Sequence, residues 1–138
     1  MNAKDYLLQY KLMQAKIQNA EDDLKALREE RAAISINLDG MPHGSHISDR
    51  TAELASRLVD AECEVMAMRS AAWSVRIQII NTIGRLSDPI HVRLLHLRYI
   101  EGHTWEQISE EMHYSYQWVA GPLHGHALQE IDKLINCR

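Results

Sequence analysis

Apolar residues recur at alternating steps of three and four between Ala3 and Leu38, and strand-like alternation is absent. Charged and polar residues fill most of the intervening positions. The steps pass through Ala3, Tyr6, Tyr10, Met13, Ile17, Ala20, Leu24, Leu27, Arg31, Ile34 and Leu38. Only Arg31 is not apolar, so it either specifies the register in which this helix pairs with another or extends its charge to solvent. A heptad sustained over this length predicts one long helix that pairs with another along a narrow stripe.

A second heptad follows a break at residues 39–45, which include Gly40 and Pro42. Glycine permits the left-handed conformation that ends a helix and proline cannot continue one, and Ser48 is a plausible N-cap for the next helix. The second series consists of Thr51, Leu54, Leu58, Ala61, Val65, Met68, Ala72, Val75, Ile79, Thr82 and Leu86. Two helices of about 35 residues predict a long antiparallel coiled-coil hairpin over residues 1–86. Because such a hairpin buries little area, we expect it to form a homo-oligomer or to pack on the C-terminal residues.

Three shorter helices are predicted in the second domain, residues 87–138. Asp88-Pro89 is a strong helix start, since it joins a capping side chain to a proline at the first helical position. Thr104 and Gln107 form a capping box for a short second helix, and Ser115 can cap the third. A helix, a turn of three or four residues and another helix is the spacing of a helix-turn-helix. Such a motif can place its final helix in a DNA major groove.

Composition narrows the possible classes of protein. The 138 residues include only six glycines and three prolines, which leaves few turns for a sheet and favours an all-α fold. Because no signal-peptide pattern or long apolar run is present, we expect a cytoplasmic protein without membrane contact. Cys63 and Cys137 cannot make a disulfide framework and are interpreted as inert buried or terminal thiols. The net charge of −4 argues against indiscriminate binding to nucleic acid.

The stretch from Leu86 to Leu134 resembles region 4 of sigma-70-type transcription factors. The matching residues are Leu86-Ser87, Leu94–Tyr99, Glu101-Gly102, Thr104–Ile108, Val119, Leu123-His124 and Ala127-Leu128. With its long helical N-terminal part, the chain is similar to small phage and prophage regulators of late genes, of the ArpU and RinA type. The resemblance implies a phage-derived, DNA-binding transcriptional regulator in the bacterial host cytoplasm. Its implied partners are double-stranded DNA and RNA polymerase.

The candidate DNA-contacting residues lie in and around the helix-turn-helix. They are Arg93, Arg98, Ser115, Tyr116, Gln117, Trp118 and His124. Gln117 and Trp118, early in the final helix, are placed to face base edges. Ser115 and Tyr116 are placed to contact phosphate, and the two arginines would assist from the first helix of this domain.

Two features favour other functions. Ala120-Gly121-Pro122 stands where sigma region 4 is typically polar and basic, and Pro122 predicts a kinked helix or one that begins at this residue. Residues 87–138 carry four cations and seven anions, a net charge of −3 with neutral histidines, whereas DNA binders usually present several free cations. The alternatives are a protein-interaction module with a degenerate helix-turn-helix, or a phage packaging or assembly subunit.

Catalytic and metal chemistry find little support in the sequence. No phosphate-binding loop, nucleophile elbow or paired acidic motif is present, so we expect no enzyme activity and no cofactor. His124 and His126 are two residues apart, and such residues point to different faces of a helix. No metal site is therefore predicted.

Overall fold

A computed structural model describes residues 1–38 and 45–136, and every regular element in these two ranges is helical. The all-α prediction is therefore confirmed. The helices are α1 (Ala3–Leu38), α2 (Ser45–Gly84), α3 (Pro89–Leu95, continued by π-helical His96–Ile100), α4 (Trp105–Met112) and α5 (Tyr116–Trp118, π-helical Val119–Leu123, then His124–Asn136). None of these helices is long and apolar enough to cross a membrane.

The break between the two long helices differs from the prediction at one end. Gly40 and Pro42 lie outside the described residues, so their predicted role in ending α1 stays a prediction. The next helix begins at Ser45, which places Ser48 inside it. The prediction of Ser48 as the N-cap was therefore wrong, because the helix extends one turn farther toward the N-terminus than the heptad indicated.

The chain divides into two compact units, and the division does not follow the predicted boundary at residue 86. One unit is Gln14–Ala71, and the other combines Met1–Met13 with Ala72–Arg138. The first turns of α1 and the end of α2 belong to the second unit because their apolar side chains enter the core of the shorter helices. We call this second unit the head.

In the Gln14–Ala71 unit, α1 and α2 run in opposite directions. Arg28 contacts Glu62, with 3.3 Å between Nη2 and Oε1, and Glu21 contacts Arg69. The contact thus moves seven residues forward in α1 as it moves seven residues back in α2, as antiparallel helices require. Between these ion pairs the buried side chains are Leu24, Leu58 and Val65, flanked by Ala20, Leu27 and Ala61.

Burial along both long helices follows the two heptads. Apart from Arg31, every heptad side chain that the structure describes is buried or half-buried. Arg31 is exposed, which agrees with the interpretation that its charge extends to solvent. Cys63 is also exposed, so its interpretation as a buried thiol was wrong, and Cys137 lies outside the described residues.

The head has one core that draws on all five helices. Leu7 of α1 and Ile79 and Ile83 of α2 are fully buried with side chains of the shorter helices. The shorter helices contribute Leu94, Leu95, Leu97, Tyr99, Ile100, Ile108, Val119, Leu123, Ala127 and Ile131. Burying one large aliphatic side chain is worth about 1.5–3 kcal/mol, so this shared core is the main stabilising feature of the head.

Pro122 lies within α5 without ending it. The proline has no N–H and its ring crowds the carbonyl four residues earlier, which belongs to Trp118. The structure accommodates this by widening Val119–Leu123 into a π-helical turn, after which His124–Asn136 is α-helical. The helix begins at Tyr116 and not at Pro122, so the second of the two predicted outcomes is not observed.

Candidate nucleic-acid interface

Helix α4 begins at the predicted capping box. The Thr104 hydroxyl oxygen accepts a hydrogen bond from the Gln107 N–H at 3.2 Å, and the Thr104 N–H donates to Oε1 of Gln107 at 2.9 Å. The two bonds satisfy backbone donors that the start of a helix leaves without partners. Asp88 caps α3 in the predicted way as well, because its carboxylate accepts a bond from the Ile90 N–H at 2.9 Å.

A short turn joins α4 to α5. His113 takes the left-handed conformation, with φ of 60°, and ends α4. The Ser109 hydroxyl donates to the carbonyl of Tyr114 and closes the turn. Ser115 then caps α5, as predicted, by accepting a bond from the Trp118 N–H at 3.2 Å. The serine oxygen is occupied as an acceptor, while its hydroxyl hydrogen is not used in this bond.

The first turns of α5 present one face to the core and another to solvent. Val119 is fully buried and Leu123 is 5% exposed, whereas Tyr116 is 46% and Trp118 41% exposed. Gln117 is exposed as well. The structure thus brings Ser115, Tyr116, Gln117 and Trp118 together at the exposed start of this helix, where the sequence placed them.

Trp118 forms part of the wall of an open depression of about 500 Å³. The other lining residues are Asp88, Ile90, His91, Tyr114, Leu123, His126, Gln129 and Glu130. No Asp, Glu, Lys or Arg occurs from residue 116 to residue 128. The exposed start of α5 is therefore aromatic and polar, and it carries no formal charge of either sign.

Arg93 is held by the head itself. Its Nη2 atom lies 2.6 Å from Oε1 of Glu111, and the second carboxylate oxygen of Glu111 lies 3.4 Å from Nδ1 of His103. The carboxylate offsets the arginine charge, which weakens its attraction to a phosphate. We therefore expect Arg93 to attract a DNA phosphate less strongly than an arginine without a carboxylate partner would.

Arg98 and His124 lie in a different cavity, which we call the basic cleft. It has a volume of about 160 Å³. It is lined by Lys4, Leu8, Lys11, Arg98, Tyr99, Trp105 and His124, none of which lines the depression beside Trp118. The seven predicted DNA-binding residues are therefore not one continuous site.

The imidazole of His124 is enclosed by aromatic rings. The Tyr99 hydroxyl lies 2.7 Å from Nε2 of His124, and the Trp105 ring meets the imidazole edge-on with centroids 4.8 Å apart. Burial, with Arg98 and Lys4 nearby, lowers the pKa of His124 from 6.5 to about 4. Its imidazole is therefore neutral at pH 7, and His124 adds no positive charge for a DNA contact.

Lys4 and Lys11 were not among the predicted site residues. They lie seven residues apart on α1, so they share one face of that helix. The heptad predicted this helix as part of the coiled coil, with the two lysines among the charged residues between its apolar positions. The signal available in the sequence was the spacing of seven residues between the two lysines. The rest of the cavity comes from a distant segment of the chain, between Arg98 and His124, which this spacing does not reveal.

Among residues 1–38 and 45–136, no group of three or more His, Cys, Asp or Glu side chains is arranged to hold a metal ion. Comparisons of the chain with protein-family models, with curated proteins and with solved structures found no match. The assignment of a function therefore depends on the geometry of the head and on the resemblance of its motifs.

Proposed function

We propose that the protein is a phage-derived, DNA-binding transcriptional regulator in which α4 and α5 form a sigma region 4-like helix-turn-helix. The observation that carries the proposal is the exposed triplet Tyr116, Gln117 and Trp118 at the start of α5, directly after the Ser115 cap. Helix-turn-helix proteins use the first residues of the second helix to read base edges in the major groove. Val119 and Leu123 anchor the opposite face in the core, which holds the triplet in a defined orientation.

Each residue at this surface has a role suited to its chemistry. The Gln117 amide can donate and accept at once, as the edge of an adenine requires, and the Trp118 ring can contact a thymine methyl group. The hydroxyl groups of Ser115 and Tyr116 can donate to phosphate oxygens and fix the register on the duplex. Since the start of α5 carries no charge, we expect affinity to fall less steeply with salt than in proteins with many lysine contacts.

The long helices supply the second part of the proposal. An antiparallel coiled-coil hairpin would join two copies, so that two weakly charged heads bind one operator, or it would dock on RNA polymerase. In the Gln14–Ala71 unit, Val59, Cys63, Met66 and Ser70 are exposed on α2 at steps of four, three and four residues. These steps place them on one face of α2, which borders the contact with α1 at Met66, where Met66 lines a groove with Leu24 and Val65. This face, the outer stripe, is the proposed surface for a second copy.

A mobility-shift experiment on the protein's own promoter region tests DNA binding, with RNA polymerase present and absent. Gln117→Ala should weaken binding about tenfold, since one good base contact is worth roughly 1–3 kcal/mol. Gln78→Ala is the matched control, because it removes an exposed glutamine of α2 that lines neither the depression beside Trp118 nor the cavity of Arg98 and His124. Equal affinity of both variants and the parent, or no shift at low salt under either condition, would rule out this DNA contact.

A protein-binding function is the second candidate, and the exposed aromatic side chains favour it. Tyr114, Tyr116, Trp118 and Ile90 are each at least 38% exposed, and two of them line the depression together with Trp118. Aromatic residues are enriched at protein interfaces, where a few of them supply most of the binding energy. If Trp118→Ala abolishes co-purification of a host or phage protein while DNA binding is absent, this second function replaces the first.

A further inference from the structure

Three cationic side chains converge on the basic cleft of the head. Lys4 and Lys11 extend from α1, and Arg98 comes from the π-helical end of α3. Trp105 and Leu8 supply apolar surface, while the neutral pair of Tyr99 and His124 completes the lining. No carboxylate lines this cavity, although the whole chain has a net charge of −4. The basic cleft is thus a concentration of positive charge on an acidic protein.

The cations of the basic cleft have no carboxylate partner, whereas six other cations of the described residues have one. Salt bridges hold Arg28, Arg50, Arg57, Arg69, Arg93 and Lys133. Within the described ranges, no Asp or Glu lies within 4.0 Å of the side-chain nitrogens of Lys4, Lys11 or Arg98. Unpaired cations around a concave surface attract an anion, because their charges add there and low-dielectric walls reduce screening.

Arg98 is already oriented for such a ligand. Its Nη1 atom donates to the carbonyl of His103 at 3.1 Å, and its guanidinium carbon lies 4.4 Å above the centroid of the Trp105 ring. These two contacts hold the planar group in place and leave further N–H donors unused. A fixed guanidinium loses little entropy when it binds an oxyanion, and its fork matches two oxygens of a phosphate.

We propose that the basic cleft binds a phosphate group. The Arg98 guanidinium would donate to two of its oxygens, and the ammonium groups of Lys4 and Lys11 would neutralise the remaining charge. The volume of about 160 Å³ exceeds the roughly 30 Å³ that one water occupies in the liquid, so an anion and some of its waters fit. The ligand is either free phosphate or a phosphomonoester, or a phosphate of the DNA backbone. The inference does not depend on base contacts by Gln117 or Trp118.

Nuclear magnetic resonance on the full-length labelled protein tests this directly, with inorganic phosphate as the probe and sodium chloride at equal ionic strength as the reference. We expect the indole N–H signal of Trp105 and the ring signals of His124 to shift saturably with phosphate and not with chloride. The Lys4→Gln/Lys11→Gln double variant should raise the phosphate Kd about tenfold, a change of about 1.4 kcal/mol, because it removes two of the three positive charges of the basic cleft.

The Lys16→Gln/Lys25→Gln double variant is the matched control, because both lysines are exposed on α1, lie outside the basic cleft and remove the same charge. The four substituted lysines are all exposed, so neither variant is expected to unfold. Equal phosphate affinity in the two double variants would overturn the proposal, as would a response that never saturates or that chloride reproduces.

The source of the phosphate group is decided by repeating the mobility shift with the same two variants. If the cleft variant alone weakens binding to a short DNA duplex, and the duplex abolishes the phosphate response, the ligand is a backbone phosphate. If DNA binding is equal in both variants, or absent, while saturable phosphate binding persists, the ligand is a free phosphate or phosphomonoester. The mobility shift with Gln117→Ala tests the proposed function, and the phosphate titration tests the basic cleft. Either result can be negative while the other is positive.

Discussion

The hydroxyl of Tyr99 lies 2.7 Å from Nε2 of His124, and the two rings stack with centroids 5.9 Å apart. Tyr99 belongs to the π-helical end of α3, and His124 follows directly after the π-helical turn of α5. The contact therefore joins two helices beside their widened turns. Such turns are frequent at functional sites, and this one borders the basic cleft.

The stability of the head should depend on pH through His124. Burial, followed in importance by Arg98 and Lys4, lowers the pKa of this imidazole from 6.5 to about 4. Between these pH values the unfolded chain binds a proton that the folded chain does not, so the free energy of unfolding falls as the pH falls from 6.5 to 4. We expect a loss of about 1–2 kcal/mol, reduced from full conversion because the imidazole is partly exposed.

Urea denaturation at both ends of this pH range measures that loss. In His124→Gln the part of the decline due to this group should disappear, because glutamine does not titrate. The neighbouring His126→Gln, at an exposed position, should retain the decline. An identical pH dependence in the parent and in His124→Gln would contradict the assignment.

The capping box of α4 should contribute measurably to stability. Thr104→Ala removes the acceptor of the Gln107 N–H and should lower the free energy of unfolding by about 1 kcal/mol. Ser56→Ala, at an exposed position inside α2, is the control and should change it by less than about 0.5 kcal/mol. Equal urea midpoints for the two variants would show that the cap is not formed in solution.

Replacing either of two glycines by alanine should change the free energy of unfolding, in opposite directions at the two positions. Gly102 has φ of +72°, a conformation that alanine rarely adopts, so Gly102→Ala should destabilise the head by about 1 kcal/mol. Gly125 lies in α5 with open space around an added Cβ, so Gly125→Ala should stabilise it by about 0.5–1 kcal/mol. Thermal unfolding of both variants checks the sign. A stabilised Gly102→Ala protein would contradict the left-handed turn.

The outer stripe of α2 should mediate self-association. Met66→Glu introduces a charge at its most exposed apolar residue and should convert an oligomer to monomers in sedimentation velocity. Ala71→Glu adds the same charge at an exposed position that is not three or four residues from any member of the outer stripe, and it should leave the oligomer intact. In a Cys137→Ser background, mild oxidation should link two copies through Cys63. A monomeric parent, or loss of the oligomer in both variants, would refute this surface.

Much of the local structure followed from short-range chemistry. The caps at Asp88, Thr104 and Ser115 were predicted correctly because each depends on hydrogen bonds within three residues of the chain. The exposed positions of Gln117 and Trp118 agree with their predicted place at the start of the final helix. The start of α2 was missed by one turn, since the heptad marks buried positions and does not mark helix ends.

The division into compact units needed contacts that no local pattern contains. Leu7 and Ile83 fall outside both heptads, yet each is at most 1% exposed, because the shorter helices cover a second face of α1 and α2. A heptad describes only the face that meets the other long helix. The sequence therefore placed the boundary at residue 86, whereas the core of the head includes the first turns of α1.

Periodicity and capping residues alone determined that this chain is helical and where α3 and α4 begin, and they indicated Ser115 as a cap for the candidate recognition helix. Tertiary structure alone decided that Arg98 and His124 share a cavity with Lys4 and Lys11, while Arg93 is neutralised by Glu111. The physical reason is the range of the interactions. Helix periodicity and caps act over a few residues, whereas the charge and burial of a side chain are set by neighbours as distant in the chain as Lys4 and His124.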